Sequence, residues 1–379
     1  MSETRLQTNR ARRLAVALTL TALAAQAWPH GQADDRWQRA SPDRKIVLPA
    51  DHASHPNYRL EWWYYTGNVN APDGRRFGYQ LTFFRTGVQF EPSNPSRWAV
   101  RDLHMAHLAI TDVDGARFEF AERLDRGVLG LAGADVDRYH VWNGTWEVVR
   151  EADGRHRLSA SSEAVGLDLT LEESEPAVAH GRAGFSQKGS QVGNATHYYS
   201  LTRMATTGAL RLGDETFEVA GASWMDHEFG TSVLESGQRG WDWFSLQLDD
   251  GSELMVFQLR REDGSRDPRS AGTLVGPAGE QTALAVGDFT LVPGARWSSD
   301  ATRAQYPIAW QLVIPSRGLE LSVRALVPNQ ELTTPGSTGV TYWEGAVEVD
   351  GLARGRRLGG RGYLEMTGYA GQPMSAVLR

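Results

Sequence analysis

Apolar and polar side chains alternate along much of the chain, and this alternation predicts β-strands. Within residues 78–85, Tyr79, Leu81 and Phe83 fall on one face, and the intervening side chains fall on the other. A period of two is expected of a strand, whereas a helix repeats every 3.6 residues. Turn sequences such as Pro72-Asp73-Gly74 separate successive apolar segments, and they favour hairpins. The pattern therefore predicts an all-β fold built as an antiparallel meander.

The second half of the chain repeats the pattern that opens the first. Residues 241–260 run from a Trp-Asp-Trp triplet through an Asp-Gly turn to an apolar strand that ends in arginine, and residues 61–85 follow the same course. A further echo of the first hairpin lies in residues 342–363. Duplication of a barrel unit explains these similarities. Chance resemblance between tryptophan-rich strands is the alternative.

Barrel closure is the expected arrangement for each half, because closing a long sheet removes its exposed edges. We predict two tandem antiparallel β-barrels, one over residues 58–205 and the other over residues 206–379. Residues 28–57 form a lead segment before the first barrel. A barrel of roughly eight strands leaves room for one small ligand.

The amino terminus has the features of a secretory signal peptide. Arg12 and Arg13 precede an apolar run over residues 14–25, and a small-residue cleavage site follows at Ala25-Gln26-Ala27. Residues 1–27 are therefore predicted to be removed. The run is short for a bilayer core of ~30 Å, which makes a retained anchor the less favoured alternative. We predict a periplasmic or secreted protein without stable membrane insertion of the mature chain, and both the Sec and the Tat export routes stay open.

Composition narrows the classes of partner. The chain has 40 Gly and 13 Trp, and turn formers together with large aromatics suit short strands around an apolar interior. A net charge of -7 without a basic stripe argues against nucleic acid, because phosphate binding needs clustered Lys and Arg. The lack of cysteine excludes disulfides, thiolate metal sites and lipid-modified cysteine. An apolar small molecule is the expected partner, and the oligomeric state is left open.

Acidic and basic side chains concentrate in residues 223–230, where Asp226, His227 and Glu228 are consecutive. These three are the candidate catalytic residues. In an apolar cavity, desolvation would raise the pKa of a carboxyl group so that it donates a proton near neutral pH, with His227 orienting or relaying that proton. The alternative is structural: the two carboxylates cap turns where the barrels meet, and His227 is an interface histidine with satisfied hydrogen bonds.

The backbone of this segment decides which of the three side chains meet. On a straight strand, Asp226 and Glu228 face one side and His227 faces the other. Convergence of all three requires a bend, and Gly230 offers a suitable position because glycine relaxes the limits on a sharp turn. If the segment stays straight, the two carboxylates form the pair and His227 is structural.

Twelve aromatic side chains are the candidate ligand-binding residues, because large rings supply affinity in an apolar pocket. They are Trp62, Trp63, Tyr65, Tyr79, Tyr198, Tyr199, Trp224, Trp241, Trp243, Phe257, Tyr342 and Trp343. For the group around Tyr198 and Tyr199, a pocket rim competes with a simpler interpretation as the last strand of the first barrel.

Neither a cofactor nor a metal ion is expected. His104 and His107 are three residues apart, so on a strand they point to opposite faces and make a poor metal pair. The sequence also lacks a Gly-x-Ser-x-Gly elbow, a His-Glu-x-x-His helix motif and a phosphate-binding loop. Serine-hydrolase, zinc-protease and nucleotide-binding functions therefore lose support.

Blocks spread over almost the whole mature chain resemble the AttH family. They include Glu61-Trp62-Trp63-Tyr64-Tyr65-Thr66-Gly67, Trp224-Met225-Asp226-His227-Glu228-Phe229-Gly230, Gly240-Trp241-Asp242-Trp243-Phe244 and Tyr342-Trp343-Glu344-Gly345. The family is similar to carotenoid 1,2-hydratases and is often labelled a predicted secreted hydrolase. The resemblance implies two lipocalin-like domains, and relatives that hydrate an isoprenoid double bond or assist a cycloaddition.

The resemblance also allows a comparison with the hydratase motif. Asp226 and His227 match its Asp-His pair, whereas Glu228 and Phe229 depart from it. The hydratases place their acid, an Asp beside a Tyr, on a nearby strand, and residues 254–260 contain no Asp.

Two hypotheses of function follow from the sequence. The first is an exported carrier or chaperone that binds a lipid-like or isoprenoid molecule. The alternative is a hydratase/lyase-type or hydrolase-type enzyme that acts on an apolar substrate at the junction of the barrels, with Asp226, His227 and Glu228 at its centre. The two differ in whether these three residues face a closed apolar cavity or solvent.

Overall fold

Antiparallel β-structure dominates the computed structural model, which describes residues 36–191, 193–231, 234–371 and 373–374. Within these ranges the chain forms 25 strands and the short 3-10 helices Ala50–His52 and Pro315–Arg317. The predicted signal peptide, residues 1–27, and the first part of the lead segment lie outside the described residues. None of the helices in these ranges has the length and apolar character needed to cross a membrane.

The first sheet has 13 strands among the described residues. They are β1 Leu60–Asn70, β2 Arg76–Gly87, β3 Asp102–Asp112, β4 Arg117–Arg126, β5 Ala132–Ala134, β6 His140–Asn143, β7 Trp146–Arg150, β8 His156–Ser161, β9 Val165–Glu173, β10 Val178–Ala179, β11 Phe185–Gln187, β12 Ala195–Leu212 and β13 Glu215–Gly230. Their order is β4-β3-β2-β1-β13-β12-β9-β8-β7-β6-β5, with β10 and β11 also paired to β12. The sheet curls into a nearly closed barrel.

The second sheet has ten strands within the same ranges, and two further strands form a separate ribbon. The sheet strands are β14 Gln238–Leu248, β15 Glu253–Arg261, β16 Ala271–Val275, β17 Gln281–Ala285, β18 Thr290–Pro293, β21 Ala309–Ile314, β22 Leu319–Ala325, β23 Glu331–Thr333, β24 Thr341–Ala353 and β25 Arg356–Thr367; the ribbon pairs β19 Arg296–Ser298 with β20 Gln305–Pro307. The order is β17-β16-β15-β14-β25-β24-β22-β21-β18, with β23 beside β24. This sheet curls into a half-barrel.

The two sheets follow the same path. In each, the first strand pairs with the last: β1 with β13, and β14 with β25. Hairpin β14–β15 therefore occupies the position in its sheet that β1–β2 occupies in the other, in line with the repeated tryptophan pattern. The echo in residues 342–363 instead spans β24–β25, the counterpart of β12–β13.

The prediction of an all-β fold is confirmed. Of the two predicted barrels, the first is nearly closed, whereas the second is a half-barrel. The chain passes from the first sheet to the second between Gly230 and Gln238. The predicted boundary at residues 205/206 lies inside β12, which stays paired with β9 and β13 as far as Leu212. The described residues from Trp37 onward form one compact unit, and the division into two domains stays a prediction.

Three apolar cores hold the sheets together. One fills the interior of the first sheet and contains Trp63, and another fills the interior of the second sheet and contains Trp343. The third core lies between the sheets, where Tyr64 of β1 meets Trp243 of β14 with ring centroids 5.2 Å apart. Because neighbouring residues of a strand point to opposite faces, β1 contributes alternately to the first and the third core.

Candidate active site

A cavity of about 360 Å³ lies within the third core, between the two sheets. Its walls are mostly aromatic and aliphatic, and charged side chains from both sheets reach it. The residues that matter for its chemistry are Trp62, Tyr64, His107, Lys188, Tyr198, Asp226, Glu228, Trp241, Trp243, Phe257, Tyr342 and Glu365. Both sheets are therefore needed to build the site.

The structure places only half of the twelve predicted ligand-binding residues at the cavity. Six of them line the cavity: Trp62, Tyr198, Trp241, Trp243, Phe257 and Tyr342. Another five lie outside the lining, with Trp63, Tyr65, Tyr79 and Tyr199 in the core of the first sheet and Trp343 in the core of the second. The reason is the alternation of faces along each strand: Trp62 and Trp63 are neighbours, and only one of them reaches the cavity. The twelfth residue, Trp224, lies in the third core but outside the cavity lining, and its indole nitrogen donates a hydrogen bond to Asp226.

Asp226 lines the cavity and is held by three hydrogen-bond donors. Its Oδ2 accepts from Tyr198 Oη at 2.6 Å, and its Oδ1 accepts from Trp224 Nε1 at 2.6 Å and from Ser200 Oγ. Tyr198 Oη in turn accepts from Trp243 Nε1 at 3.0 Å. The carboxyl group is thus fixed at the boundary between the first sheet and the cavity.

Burial gives Asp226 unusual acidity. Loss of water around the carboxyl raises the pKa of Asp226 to about 7, although the bonds from Ser200, Tyr198 and Trp224 act in the opposite direction. A carboxyl group with this pKa is partly protonated at neutral pH and can both donate and accept a proton.

Glu228 lies on the same face of β13 as Asp226, and its negative charge is balanced by Lys188. Its Oε1 is 3.0 Å from Lys188 Nζ and also accepts a hydrogen bond from Thr196 Oγ1. The Lys188 ammonium lies 4.1 Å from the ring centroid of Phe257 and 5.0 Å from that of Tyr198. This end of the cavity therefore holds a buried ion pair packed against aromatic rings.

His227 points away from Asp226 and Glu228. Strand β13 continues through all three residues to Gly230 without a bend that would bring them together. The imidazole lies in the interior of the first sheet, where Nε2 is 2.9 Å from Glu61 Oε1 and Nδ1 is 3.2 Å from Tyr199 Oη. The carboxylates therefore share the cavity, and the histidine belongs to a different buried network.

Two carboxyl groups of the second sheet were not among the predicted site residues. Glu365 lines the cavity, and its Oε2 accepts from Trp241 Nε1 at 2.9 Å. Burial raises the pKa of Glu365 to about 7. Burial also raises the pKa of Glu344 well above its ordinary value, and this group accepts a hydrogen bond from Tyr64 Oη. Glu365 stands opposite Trp243 in the ladder between β14 and β25, a pairing that local sequence patterns do not reveal.

His107 adds a neutral imidazole to the cavity wall. Its Nδ1 lies 2.7 Å from Tyr342 Oη and its Nε2 lies 2.9 Å from Ser337 Oγ. Burial lowers the pKa of His107 to about 3, so it carries no charge at neutral pH. It thus connects the two sheets by hydrogen bonds and does not add positive charge to the site.

Two curled antiparallel sheets with an apolar, carboxyl-bearing cavity between them define a lipocalin-like protein with a ligand-sized pocket. The AttH-like family model matches residues 39–369, and the chain belongs to the AttH-like family. The family prediction made from the tryptophan-rich blocks is thereby confirmed.

Similar proteins come from bacteria and fungi. The crystal structure of an AttH protein from Nitrosomonas europaea is 33% identical, covers 88% of this chain and 100% of that one, and has a TM-score of 0.81. Kievitone hydratase from Nectria haematococca shares the fold at 18% identity, with 88% and 97% of the two chains covered and a TM-score of 0.66. The dehydratase asqC from Emericella nidulans is 26% identical over 219 residues. That match covers 55% of this chain and spans about 60% of the curated relative.

Proposed function

We propose that the protein is an acid-base lyase that adds water to, or removes water from, an apolar small molecule in the cavity between the sheets. The observation that carries the proposal is the pKa of about 7 that burial gives Asp226 at the cavity wall. An ordinary aspartate is almost wholly ionised at neutral pH and is a poor proton donor there. The dehydratase relative from Emericella nidulans supports the same class of reaction.

Asp226 supplies the proton in either direction of this reaction. In hydration, its proton bonds to one carbon of an alkene, and the other carbon becomes a cation. A water oxygen bonds to the cation and releases a proton to a carboxylate. In dehydration, Asp226 protonates a hydroxyl group, the C–O bond breaks, and a proton leaves the neighbouring carbon. Neither direction requires an electron acceptor or donor.

Glu365 is suited to receive the proton that water or carbon releases. It lines the same cavity, and its pKa of about 7 matches that of Asp226. Because both groups titrate near neutral pH, one can be protonated while the other is ionised, so one can act as acid and the other as base. In this scheme Tyr198 and Trp241 position the two carboxyl groups through their hydrogen bonds.

The cavity also suits a cationic intermediate. The faces of tryptophan rings attract positive charge, and Trp62, Trp241 and Trp243 line the cavity. The positive charge of Lys188 is balanced by Glu228 at 3.0 Å, so it does not oppose a cation nearby. A cavity of about 360 Å³ lies in the size range of small-molecule sites. The signal predicted for residues 1–27 adds the proposal that this reaction takes place in the periplasm or the medium.

The test starts from a search for an apolar molecule that copurifies with the protein from its own host. Native mass spectrometry and solvent extraction of the purified protein identify a copurifying molecule. That molecule is then incubated with the protein in ¹⁸O-labelled water, and ¹⁸O entering or leaving a hydroxyl group reports hydration and dehydration. We expect Asp226→Asn to lower the rate at least 100-fold while the ligand still binds.

A matched control is Asp242→Asn, which removes another fully buried aspartate that does not line the cavity. This variant should keep the rate per folded molecule. Equal loss of rate in both variants, or full activity of Asp226→Asn, would overturn the role of Asp226. A ligand that copurifies with the wild-type protein and never exchanges oxygen would favour the alternative function, a carrier of apolar molecules.

A further inference from the structure

Three potential metal ligands meet on the opposite face of β13 from Asp226. One nitrogen each from His55 and His227 and one oxygen from Glu61 all lie within 4.8 Å of one another. His55 belongs to the segment before β1, Glu61 to β1 and His227 to β13. Glu61 and His227 are 166 positions apart along the chain, which is why local sequence spacing does not reveal the group.

The distances from the carboxylate oxygen to the two nitrogens are close to those between the ligand atoms around a small tetrahedral ion. Glu61 Oε1 lies 2.8 Å from His55 Nδ1 and 2.9 Å from His227 Nε2. Ligands bonded to Zn²⁺ at about 2.0–2.1 Å lie roughly 3.3 Å apart in a tetrahedron. Each of these two distances would grow by roughly 0.4–0.5 Å when the ion replaces the shared protons, and the third distance, between the two nitrogens, is within 4.8 Å.

The second nitrogen of each imidazole already has an outer partner. His55 Nε2 lies 3.2 Å from Asp51 Oδ1, and His227 Nδ1 lies 3.2 Å from Tyr199 Oη. Histidines that bind metals usually engage their other ring nitrogen in this way, which fixes the ring and its tautomer. The arrangement leaves His55 Nδ1 and His227 Nε2 directed toward the same carboxylate oxygen.

Glu61 is fixed on its other side. Its Oε2 accepts from Arg85 Nη2 at 3.1 Å and from Ser54 Oγ at 2.9 Å, so Oε1 is the atom directed to the two histidines. Arg85 also pairs with Asp102 at 3.1 Å, and Arg44 pairs with Asp51 at 2.6 Å. Arg101 also pairs with Asp102, at 2.7 Å, so three carboxylates and three guanidinium groups surround the histidines, and no surplus of positive charge opposes a bound cation.

An apolar shell encloses the group. The ring of Phe229 stacks on His55 at a centroid distance of 3.6 Å, and Trp63 stacks on His227 at 5.0 Å. Glu61 and His227 are fully buried. Such a shell limits access of water and strengthens metal-ligand interactions.

We propose that His55, Glu61 and His227 form a binding site for a divalent transition-metal ion, with Zn²⁺ as the reference ion. Two imidazoles and one carboxylate suit Zn²⁺, whereas Ca²⁺ and Mg²⁺ prefer oxygen ligands. The bound ion would join the segment before β1 to β1 and β13, and so fix one end of the first sheet.

The test measures metal binding directly. The full-length protein is stripped with a chelator, incubated with excess Zn²⁺ near neutral pH and freed of unbound metal by gel filtration, and its zinc content is determined by mass spectrometry. We expect one Zn²⁺ per chain and a higher melting temperature with Zn²⁺ than without it. His55→Gln and His227→Gln should each lose the bound ion and the increase in melting temperature.

His156→Gln is the matched control, because His156 is another buried histidine of the first sheet with a carboxylate partner, Glu173 at 2.9 Å. This variant should retain one Zn²⁺. If the wild-type protein binds no Zn²⁺, or if His55→Gln and His227→Gln retain it, the site does not exist.

A second measurement covers the case in which the variants fail to fold. Co²⁺ bound to the wild-type protein should give the visible absorption of a low-symmetry nitrogen and oxygen site. Zn²⁺ should also protect His55, the partly exposed ligand, from modification by diethylpyrocarbonate, as mapped by peptide mass spectrometry. Absence of the Co²⁺ absorption together with equal modification of His55 with and without Zn²⁺ would exclude this site.

Discussion

Three hydrogen-bond donors surround the carboxyl group of Asp226, and its pKa still lies far above the ordinary value. Bonds from Ser200, Tyr198 and Trp224 stabilise the charged form, while burial disfavours it and prevails. The donors therefore orient the group without making it a permanent anion. Sequence reasoning identified Asp226 from its neighbours, whereas its acidity depends on burial by a sheet that begins at Gln238.

Asp226→Asn should be more stable than the wild-type protein above pH 7 and similar to it below pH 4. The pKa is raised from 3.8 in the unfolded chain to about 7 in the folded one. Between these values the folded chain keeps a proton that the unfolded chain has lost, so stability falls as pH rises through this window. The full loss is on the order of 4 kcal/mol, at about 1.4 kcal/mol per pH unit. Asparagine carries no charge and avoids it.

Urea denaturation of both proteins across this pH range measures the effect. The difference in free energy of unfolding between variant and wild type should grow with pH and level off above pH 7. A difference that stays constant across the window would mean that Asp226 titrates near its ordinary pKa in the folded protein.

At the scale of the strand, residues of β1 that face the cavity alternate with residues that fill the core of the first sheet. Trp62 lines the cavity, and its neighbour Trp63 is fully buried in the core of the first sheet. Tyr64 returns to the third core, and Tyr65 to the first. One strand therefore builds two different parts of the molecule, because its side chains alternate.

Trp62→Leu and Trp63→Leu form a matched pair that tests this division. Trp62→Leu should weaken binding of an apolar fluorescent probe about tenfold, equivalent to 1.4 kcal/mol, with little change in stability. Trp63→Leu should lower the free energy of unfolding by roughly 2–4 kcal/mol, because it leaves a cavity in a closed core, with probe affinity unchanged in the folded fraction. Fluorescence titration and urea denaturation measure both quantities. The reverse pattern would place the ligand inside the first sheet.

The sequence was sufficient to predict that the side chains of β1 alternate between two faces. It was not sufficient to predict which face lines the cavity and which fills the core of the first sheet. Periodicity shows that Trp62 and Trp63 point apart, yet both faces are apolar, so the pattern cannot tell which one meets a ligand. The same limit explains Tyr65 and Trp343, which were expected at the cavity and lie in the sheet cores. Glu365 escaped prediction because its position depends on the pairing of β25 with β14.

At the scale of the whole molecule, hydrogen bonds join the two sheets around their shared core. Gln247 Nε2 donates to the backbone oxygen of Ser223 at 3.0 Å, and Asn68 Nδ2 donates to that of Gly362 at 3.1 Å. Such bonds are directional, so they fix the relative position of the sheets more narrowly than apolar contact alone. The width of the cavity then follows from how closely the sheets approach.

Gly78 is the position where this approach can be tested. A Cβ atom at Gly78 of β2 would lie 2.6 Å from Ala346 Cβ of β24 and 3.0 Å from Tyr363 Oη. Gly78→Ala should therefore push the sheets apart and lower the free energy of unfolding by about 1–3 kcal/mol. At Gly287 a Cβ atom would meet nothing within 4 Å, so Gly287→Ala should change stability by roughly 0.5 kcal/mol or less.

Ala346→Gly should partly rescue Gly78→Ala, because it removes the Cβ atom that the new methyl group meets. The single change Ala346→Gly costs about 0.5–1 kcal/mol through backbone entropy, so the double variant should be more stable than the sum of the two losses predicts. Urea denaturation of all four proteins gives the coupling energy directly. Contact between the sheets requires a favourable coupling of at least about 0.5 kcal/mol. Simple additivity would show that Gly78 and Ala346 do not meet in the folded protein, and that the sheets pack together elsewhere.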